Sequence, residues 1–471
     1  MNTSRYQHTF VKVKRAGQEH VLRFWDVLTE DQKDSLADQI ESIDFDHLSQ
    51  IYKQKLAGRI AGCFQGLLEP IDIIPISRTA DDFTKADQAL KKGEELIAAG
   101  KIAAVLVAGG QGTRLGYDGP KGIYPVTPVS DKSLFQFHAK KIKALNKYYD
   151  TLIPWYIMTS KVNDAETRDF FSRYDYFGLG RENVFFFTQG MLPAMDDDGK
   201  VLLDAVNHIF ENPDGHGGIF FALRDSGALT DLKKRQIEEL FYFQVDNVLV
   251  KICDPYFIGH HKLAHSDMSA KVVSKRDPYE RVGVIGRLNG KPTVIEYSDL
   301  PPSAMEARNP DGHLKYNGGS IAIHMLNMKF VERIANGSIK LPYHIAHKKI
   351  EYLDSQGLKV VPEKANGYKF EMFIFDALPY ADTVVVMEVD RTEEFSPIKN
   401  EKGLDSPETA RRDLINYYGR LLRRIGVDIP MDEDGHIATV IEISPELVLD
   451  INKLRAKIKT IDLHKDKLLI E

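Results

Sequence analysis

Ile102-Ala-Ala-Val-Leu-Val-Ala-Gly-Gly-Gln-Gly-Thr-Arg-Leu-Gly116 is the stretch that decides the fold. Its first seven residues are apolar without a break, which predicts a strand buried on both faces, as in a parallel sheet covered by helices. The glycines that follow release the chain from the sheet. Working outward, a helix over 85–98 ends at Gly100, and beyond the loop come a helix at 134–148, a strand at 155–158, a helix at 165–174 and a strand at 184–187. A helix over 229–238 and a strand over 240–245 continue the alternation. Strands separated by helices predict an α/β fold with a central, mostly parallel Rossmann-like sheet. Apolar residues at helical intervals between Trp25 and Leu56 predict a helical N-terminal segment. A helical stretch at 408–425 and the tail after Pro430 predict a small C-terminal domain. The expected division is 1–100, 101–390 and 391–471.

The bulk composition narrows the function classes. With 471 residues, 43% hydrophobic and 28% charged, the chain is long enough for a full sheet and a cleft. A net charge of -6 and the absence of long Lys/Arg blocks argue against nucleic-acid binding or a membrane-surface role. No apolar run approaches the roughly 18 residues that cross a bilayer. Cys63 and Cys253 are too few for a disulfide framework, and the polar, basic start lacks a secretory core, so a reduced cytoplasm is expected. The expected assembly is a monomer or a weak homo-oligomer.

The glycine loop carries the first chemical signal. Glycines let successive backbone amides approach an anion, while Arg114 and Lys121 supply positive charge, a combination suited to phosphate. A Walker loop would need Lys-Ser/Thr directly after its last glycine, and Tyr117-Asp118 stands there instead. A dinucleotide fingerprint needs Gly-x-Gly-x-x-Gly, whereas Gly110, Gly112 and Gly116 are spaced too widely. A solvated glycine turn is the bland alternative. His260, His261 and His265 lack a fourth ligand at metal spacing and read as surface residues.

The loop with its downstream Pro120-Lys121 resembles the UDP-sugar pyrophosphorylase family, its acetylglucosamine-type members most of all. The similarity runs from about Gly100 to Asn400. It passes through Gln189-Gly-Met-Leu-Pro-Ala194, Pro213-Asp-Gly-His-Gly-Gly218, Val245-Asp-Asn247, Glu296-Tyr-Ser298, Asn366-Gly367 and Phe395-Ser-Pro-Ile-Lys-Asn400. The resemblance implies a nucleotidyltransferase of GT-A-like architecture that joins UTP to a hexose 1-phosphate with Mg²⁺. N-acetylglucosamine 1-phosphate would be the sugar, glucose 1-phosphate or several hexoses the alternatives. A non-catalytic nucleotide-sugar sensor on the same fold is the rival outside enzymology.

By the same resemblance, Leu106, Ala108, Gly109 and Gly110 line UTP, and Gln189 with Gly215 reads uracil, whose donor between two acceptors suits a side-chain amide. Lys121 and Lys369 hold UTP phosphates, Lys399 the sugar phosphate, and Arg114, Lys121 and Lys399 serve the chemistry. Asp246 either coordinates Mg²⁺ or accepts from the ribose. His216, Glu296, Tyr297, Asn317 and Phe373 face the hexose. The pattern departs near the sugar: acetylglucosamine enzymes of the family carry Asn where this chain has His216 and again where it has Ser320, and a Gly-His-Gly run is what glucose-type members tend to show.

Overall fold

The computed structural model describes residues 3–56, 66–77, 79–463 and 465–471, so Cys63 lies outside the described residues. The chain divides into two compact units. The first comprises Met1–Cys63, Gln189–Ile219 and Lys340–Asp376, the second Phe64–Thr188, Phe220–Ile339 and Ala377–Glu471. The expected boundaries at 100 and 390 do not coincide with these units, because segments distant in sequence share each core.

The second unit holds a ten-stranded sheet. Its heart is the parallel set read from the sequence: Val184–Thr188, Trp155–Thr159, Ile102–Val107 and Glu239–Gln244 lie side by side, with Val105 opposite both Tyr156 and Tyr242. Ile102 to Leu106 are at most 1% exposed, the burial that an unbroken apolar run demands. After Ile102–Val107 the chain builds strands to one side as far as Val184–Thr188, then returns to place Glu239–Gln244 on the other side. The strand order therefore reverses between Ile102–Val107 and Glu239–Gln244, and the glycine loop and Asp246 leave the carboxyl ends of these two strands. This is the place where open α/β sheets bind ligands.

Beyond Glu239–Gln244 the sheet is largely antiparallel. Gly318–Asn327 pairs with it and also with Met268–Ser274 and Val284–Leu288. Leu68–Pro70 and Lys291–Ile295 add to Val284–Leu288, and Val384–Glu388 runs parallel to Met268–Ser274. Helix starts follow local chemistry: Ser133 with Gln136 and Ser406 with Thr409 form capping boxes for Leu134–Tyr149 and Pro407–Arg424. The helix expected to reach residue 238 stops at Lys234, and Gln236 takes a left-handed φ of 58° before the next strand. Leu414, Tyr418 and Leu422 of Pro407–Arg424 pack in one cluster with Ile102, Leu106 and Phe243. The segment after residue 391 is thus part of the second unit rather than a small domain of its own.

In the first unit, the expected helical segment is the set Thr3–Arg15, Glu30–Ser42 and Phe45–Leu56. Leu36, Ile40, Leu48 and Ile51 bury their side chains against Val201, Ile209 and Phe370. The small sheet of this unit joins His344–Lys348, Gly367–Glu371 and Met195–Asp196, all antiparallel. No helix among the described residues is long and apolar enough to cross a membrane.

Candidate active site

In the second unit the glycine loop is held from below. Asn163 donates through Nδ2 to the carbonyls of Ala108 and Gly110 at 2.9 and 3.3 Å, and the amide of Lys121 donates to Gly110 O at 3.1 Å. Gly116 turns the chain with φ 66°, and a side chain at Gly112 would run into Tyr117. Gly110 differs: its φ is ordinary, and a Cβ there would meet nothing within 4 Å. The amides of Gly109, Gly110 and Gln111 donate no hydrogen bond among the described residues. Successive unpaired amides beside open space form a nest for an anion. Arg114 is exposed on the turn Thr113–Leu115.

Lys121 and Asp246 meet across the switch point, Nζ to Oδ2 at 3.6 Å, and Lys121 also donates to Ile398 O at 3.3 Å. Asp246 is 8% exposed. Asn247 beside it, which the sequence marked only as part of a motif, has a defined task. Its Nδ2 donates to Glu394 O at 2.7 Å, and its Oδ1 accepts from the amides of Leu249 and Ser396 at 3.2 and 3.0 Å. The Ile398 amide donates to Asp246 O at 3.0 Å. These bonds stitch the turn carrying Asp246 to the segment that ends in Lys399, whose exposed ammonium lies 5.9 Å from the Phe395 ring. Under the turn, fully buried His138 donates from Nε2 to Val245 O at 3.0 Å, and burial pushes its pKa down to about 3. Lys141, its pKa lowered to about 7 by burial, donates to the carbonyls of Val248 and Val250.

On the antiparallel side Glu296 and the Ser320 backbone both lie beside Gly283. A side chain at Gly283 would lie 3.5 Å from Glu296 Oε1, and Gly283 O accepts from the Ser320 amide three residues beyond Asn317. The Asn317 side chain is already engaged, accepting from the Lys275 amide at 2.9 Å and donating to Ser274 Oγ at 3.0 Å. Tyr297 is 41% exposed. Among the described residues no group of three or more His, Cys, Asp or Glu could hold a metal ion. Asp246 alone suits the mode in which Mg²⁺ takes one carboxylate together with substrate phosphates and water.

In the first unit, Gly215 has φ 85°, and a Cβ there would lie 2.2 Å from Met372 O, so only glycine fits. The Met372 amide donates to Asp214 O at 2.7 Å and Met372 O accepts from the Gly217 amide at 2.8 Å, which fixes the turn that precedes His216. His216 stacks on Phe373, centroids 5.3 Å apart at 20°, and its Nδ1 accepts from the Ile374 amide at 3.2 Å. Burial lowers its pKa to about 4. With Nδ1 accepting, the neutral ring carries its proton on Nε2 and offers a single donor. Phe373 is also packed by His344, which pairs with Asp376 at 2.8 Å. Lys369 lies on Gly367–Glu371 with Nζ 5.0 Å from the Phe210 ring. Gln189 is 8% exposed, and burial raises the pKa of the Asp214 carboxyl to about 6, an effect that the Gln189 side chain partly offsets.

The histidine reading needs one correction. His261 is fully buried, bonded to Ser269 Oγ at 2.7 Å and Glu239 Oε2 at 3.1 Å, and His260 is half-buried, while His265 is exposed as expected. The helix Pro255–Leu263 turns the His261 side chain onto the sheet, an orientation that depends on its tertiary partners.

Fold and loop together define an α/β protein with a glycine turn of unpaired amides at the switch point of its sheet. Residues 68–408 match the family described as UTP–glucose-1-phosphate uridylyltransferase, and the chain belongs to that family. Over 460 residues it is 38% identical to the UDP-N-acetylglucosamine pyrophosphorylase of Saccharomyces cerevisiae, spanning 92% of this chain and 93% of that one. It is 38% identical over 440 residues to UDP-N-acetylhexosamine pyrophosphorylase-like protein 1 of Xenopus tropicalis, spanning 90% and 86%. The crystal structure of the uridine diphosphate N-acetylglucosamine pyrophosphorylase from Trypanosoma brucei in complex with inhibitor matches with a TM-score of 0.84 at 28% identity, over 100% of this chain and 99% of that one.

Proposed function

We propose that this protein is a uridylyltransferase that joins UTP to N-acetylglucosamine 1-phosphate, releasing pyrophosphate and UDP-N-acetylglucosamine. Family membership supports the reaction class, and the names of the yeast and trypanosome relatives support the sugar. The observation within the molecule that carries the reading is the Lys121–Asp246 pair at the switch point, set beside the unpaired amides of Gly109 to Gln111.

The sugar phosphate needs no activating base, since its second pKa is roughly 6 by analogy with phosphorylated side chains and it is an anion near neutral pH. The protein's work is then alignment and charge neutralisation during an in-line attack on the α-phosphorus. In this reading the Leu106–Gly110 turn and Lys121 take the UTP phosphates with Lys369, while Arg114 adds positive charge. Lys399 neutralises the sugar phosphate as it attacks. Gln189 and the Gly215 backbone read uracil. Asp246 is assigned to Mg²⁺ or the ribose, and Mg²⁺ bound with UTP would offset phosphate charge. His216, Phe373, Glu296 and Tyr297 are assigned to the sugar; Asn317 contributes through the loop it holds. A cytoplasmic setting belongs to the same proposal.

The test is pyrophosphate release from UTP with a panel of hexose 1-phosphates. The expected result is the highest kcat/KM with N-acetylglucosamine 1-phosphate. No release with any hexose 1-phosphate would overturn the enzyme reading in favour of a binding protein, and a preference for glucose 1-phosphate would assign the sugar to the lone donor of His216.

A further inference from the structure

We infer that Lys271 is a positioning residue for the transfer step: its buried ammonium, shared between Asp254 and Glu394, fixes Lys399 against Asp246. The inference rests on the proposed roles of Lys399 and Asp246 and adds the group that holds their spacing.

Lys271 lies on Met268–Ser274, and its side chain is fully buried. The pairing of that strand with Gly318–Asn327 shifts register between Ala270 and Val272, the kind of irregularity that re-aims a side chain. Lys271 Nζ donates to Asp254 Oδ2 at 2.6 Å and to Glu394 Oε2 at 2.5 Å, and it lies 5.3 Å from the centre of the Phe257 ring. Both carboxylates are buried as well. Lys251 completes the cluster with its Nζ 3.6 Å from Glu394 Oε1, so that two cations face two anions, and Glu393 beside them is matched by Arg424.

The two acids belong to the two runs of chain that meet at the switch point. Asp254 closes the run that begins at Asp246, and it caps the helix Pro255–Leu263 by accepting from the Tyr256 amide at 3.2 Å. Glu394 opens the run that ends at Lys399, and its backbone carbonyl is the acceptor for Asn247 Nδ2. Lys271 thus adds a tie from both runs to one point on the large sheet. A buried ion cluster is a poor source of stability, since apolar side chains of similar volume would serve as well or better. What it fixes is geometry: one ammonium bonded to two carboxylates at 2.5 and 2.6 Å tolerates little displacement of either run. Alignment is the protein's main contribution to phosphoryl transfer, and a misplacement of about 1 Å can cost roughly 10² in rate.

The experiment measures kcat per folded molecule, with UTP, Mg²⁺ and the hexose 1-phosphate that the wild-type protein uses fastest, in the full-length protein, Lys271→Met, Lys399→Ala and the two combined. Lys271→Met should lower kcat by ~10-fold or more. In the Lys399→Ala background the same substitution should cost less than ~2-fold, because no ammonium remains to be misplaced. An equal factor in both backgrounds would overturn the inference, and so would an unchanged kcat with a lowered urea midpoint; either result would make Lys271 a structural residue alone. A wild-type kcat in Lys399→Ala would instead remove the role of Lys399 in the transfer, and the inference with it. If Lys271→Met does not fold, Lys271→Met combined with Asp254→Asn decides through the same cycle. That pair removes one charge of each sign, keeps a side chain that caps the helix, and leaves Glu394 with Lys251.

Discussion

At the scale of single residues, Lys399 and His216 make opposite kinds of demand. Lys399 is exposed, yet its segment is tied by the Ile398 and Ser396 amides to the turn of Asp246 and Asn247, so its charge is held by backbone rather than by side-chain partners. Lys399→Ala should therefore lower kcat by roughly 10² to 10³, the scale for losing one charge-stabilising donor, with UTP binding nearly intact. Calorimetry showing lost UTP affinity would assign Lys399 to the nucleotide instead. His216 is the reverse case, fixed by Phe373 and by the Ile374 amide, with one donor left to offer. Asn in its place both donates and accepts, as an N-acetyl group requires. His216→Asn should shift kcat/KM toward N-acetylglucosamine 1-phosphate over glucose 1-phosphate by about 1 to 3 kcal/mol. An unchanged ratio would mean that the imidazole serves loop packing alone.

At the scale of elements, the helix Leu134–Tyr149 supports the turn at the end of Glu239–Gln244 through His138. Burial lowers its pKa from about 6.5 to about 3, so below 6.5 the unfolded chain takes up a proton that the folded chain refuses. Stability is complete above about pH 6.5 and falls as pH drops through the window toward 3. The urea midpoint should decline over that range, and His138→Gln, which keeps a donor for Val245 O but does not titrate, should flatten the decline. An equally steep profile in the variant would place the titration elsewhere. The parallel strands were legible because burial on both faces leaves unbroken apolar runs such as Ile102 to Leu106. The antiparallel half was not, since Val284–Leu288 and Lys291–Ile295 mix polar and apolar residues on half-buried faces. A signal was there: Asn289-Gly290 takes φ 51° and 79°, the two-residue turn that joins these strands as a hairpin. Motifs already marked the Lys121–Asp246 pair of the second unit and the Gly215 turn of the first. The task of Asn247 depends on Glu394 and Ser396, partners distant in sequence, and became visible only through contacts.

At the scale of the whole molecule, the proposed mechanism relies on charge held in place rather than on a nucleophilic side chain, so metal and nucleotide should be stringent requirements. Turnover should vanish with excess EDTA and return with Mg²⁺, and ATP and dTTP should be used far more slowly than UTP. ATP or dTTP turned over as fast as UTP would remove Gln189 from base reading, and turnover persisting in EDTA would assign Asp246 to the ribose alone. Domain boundaries were the least legible feature. Composition shifts little at residues 63, 188, 219, 339 or 376, and each unit is completed by segments that local pattern cannot connect.

That interleaving also sets an order of events at the ribosome. The apolar faces of Glu30–Ser42 and Phe45–Leu56 share a core with Val13 and Trp25 but also with Val201, Ile209 and Phe370, so their cover is not complete until the chain has grown past residue 370. At about 5–20 residues per second, this wait lasts roughly 15 to 60 s. For that time the two helices keep part of their apolar faces open while they await downstream sequence, and this is the part of the nascent chain for which a chaperone has the most to do.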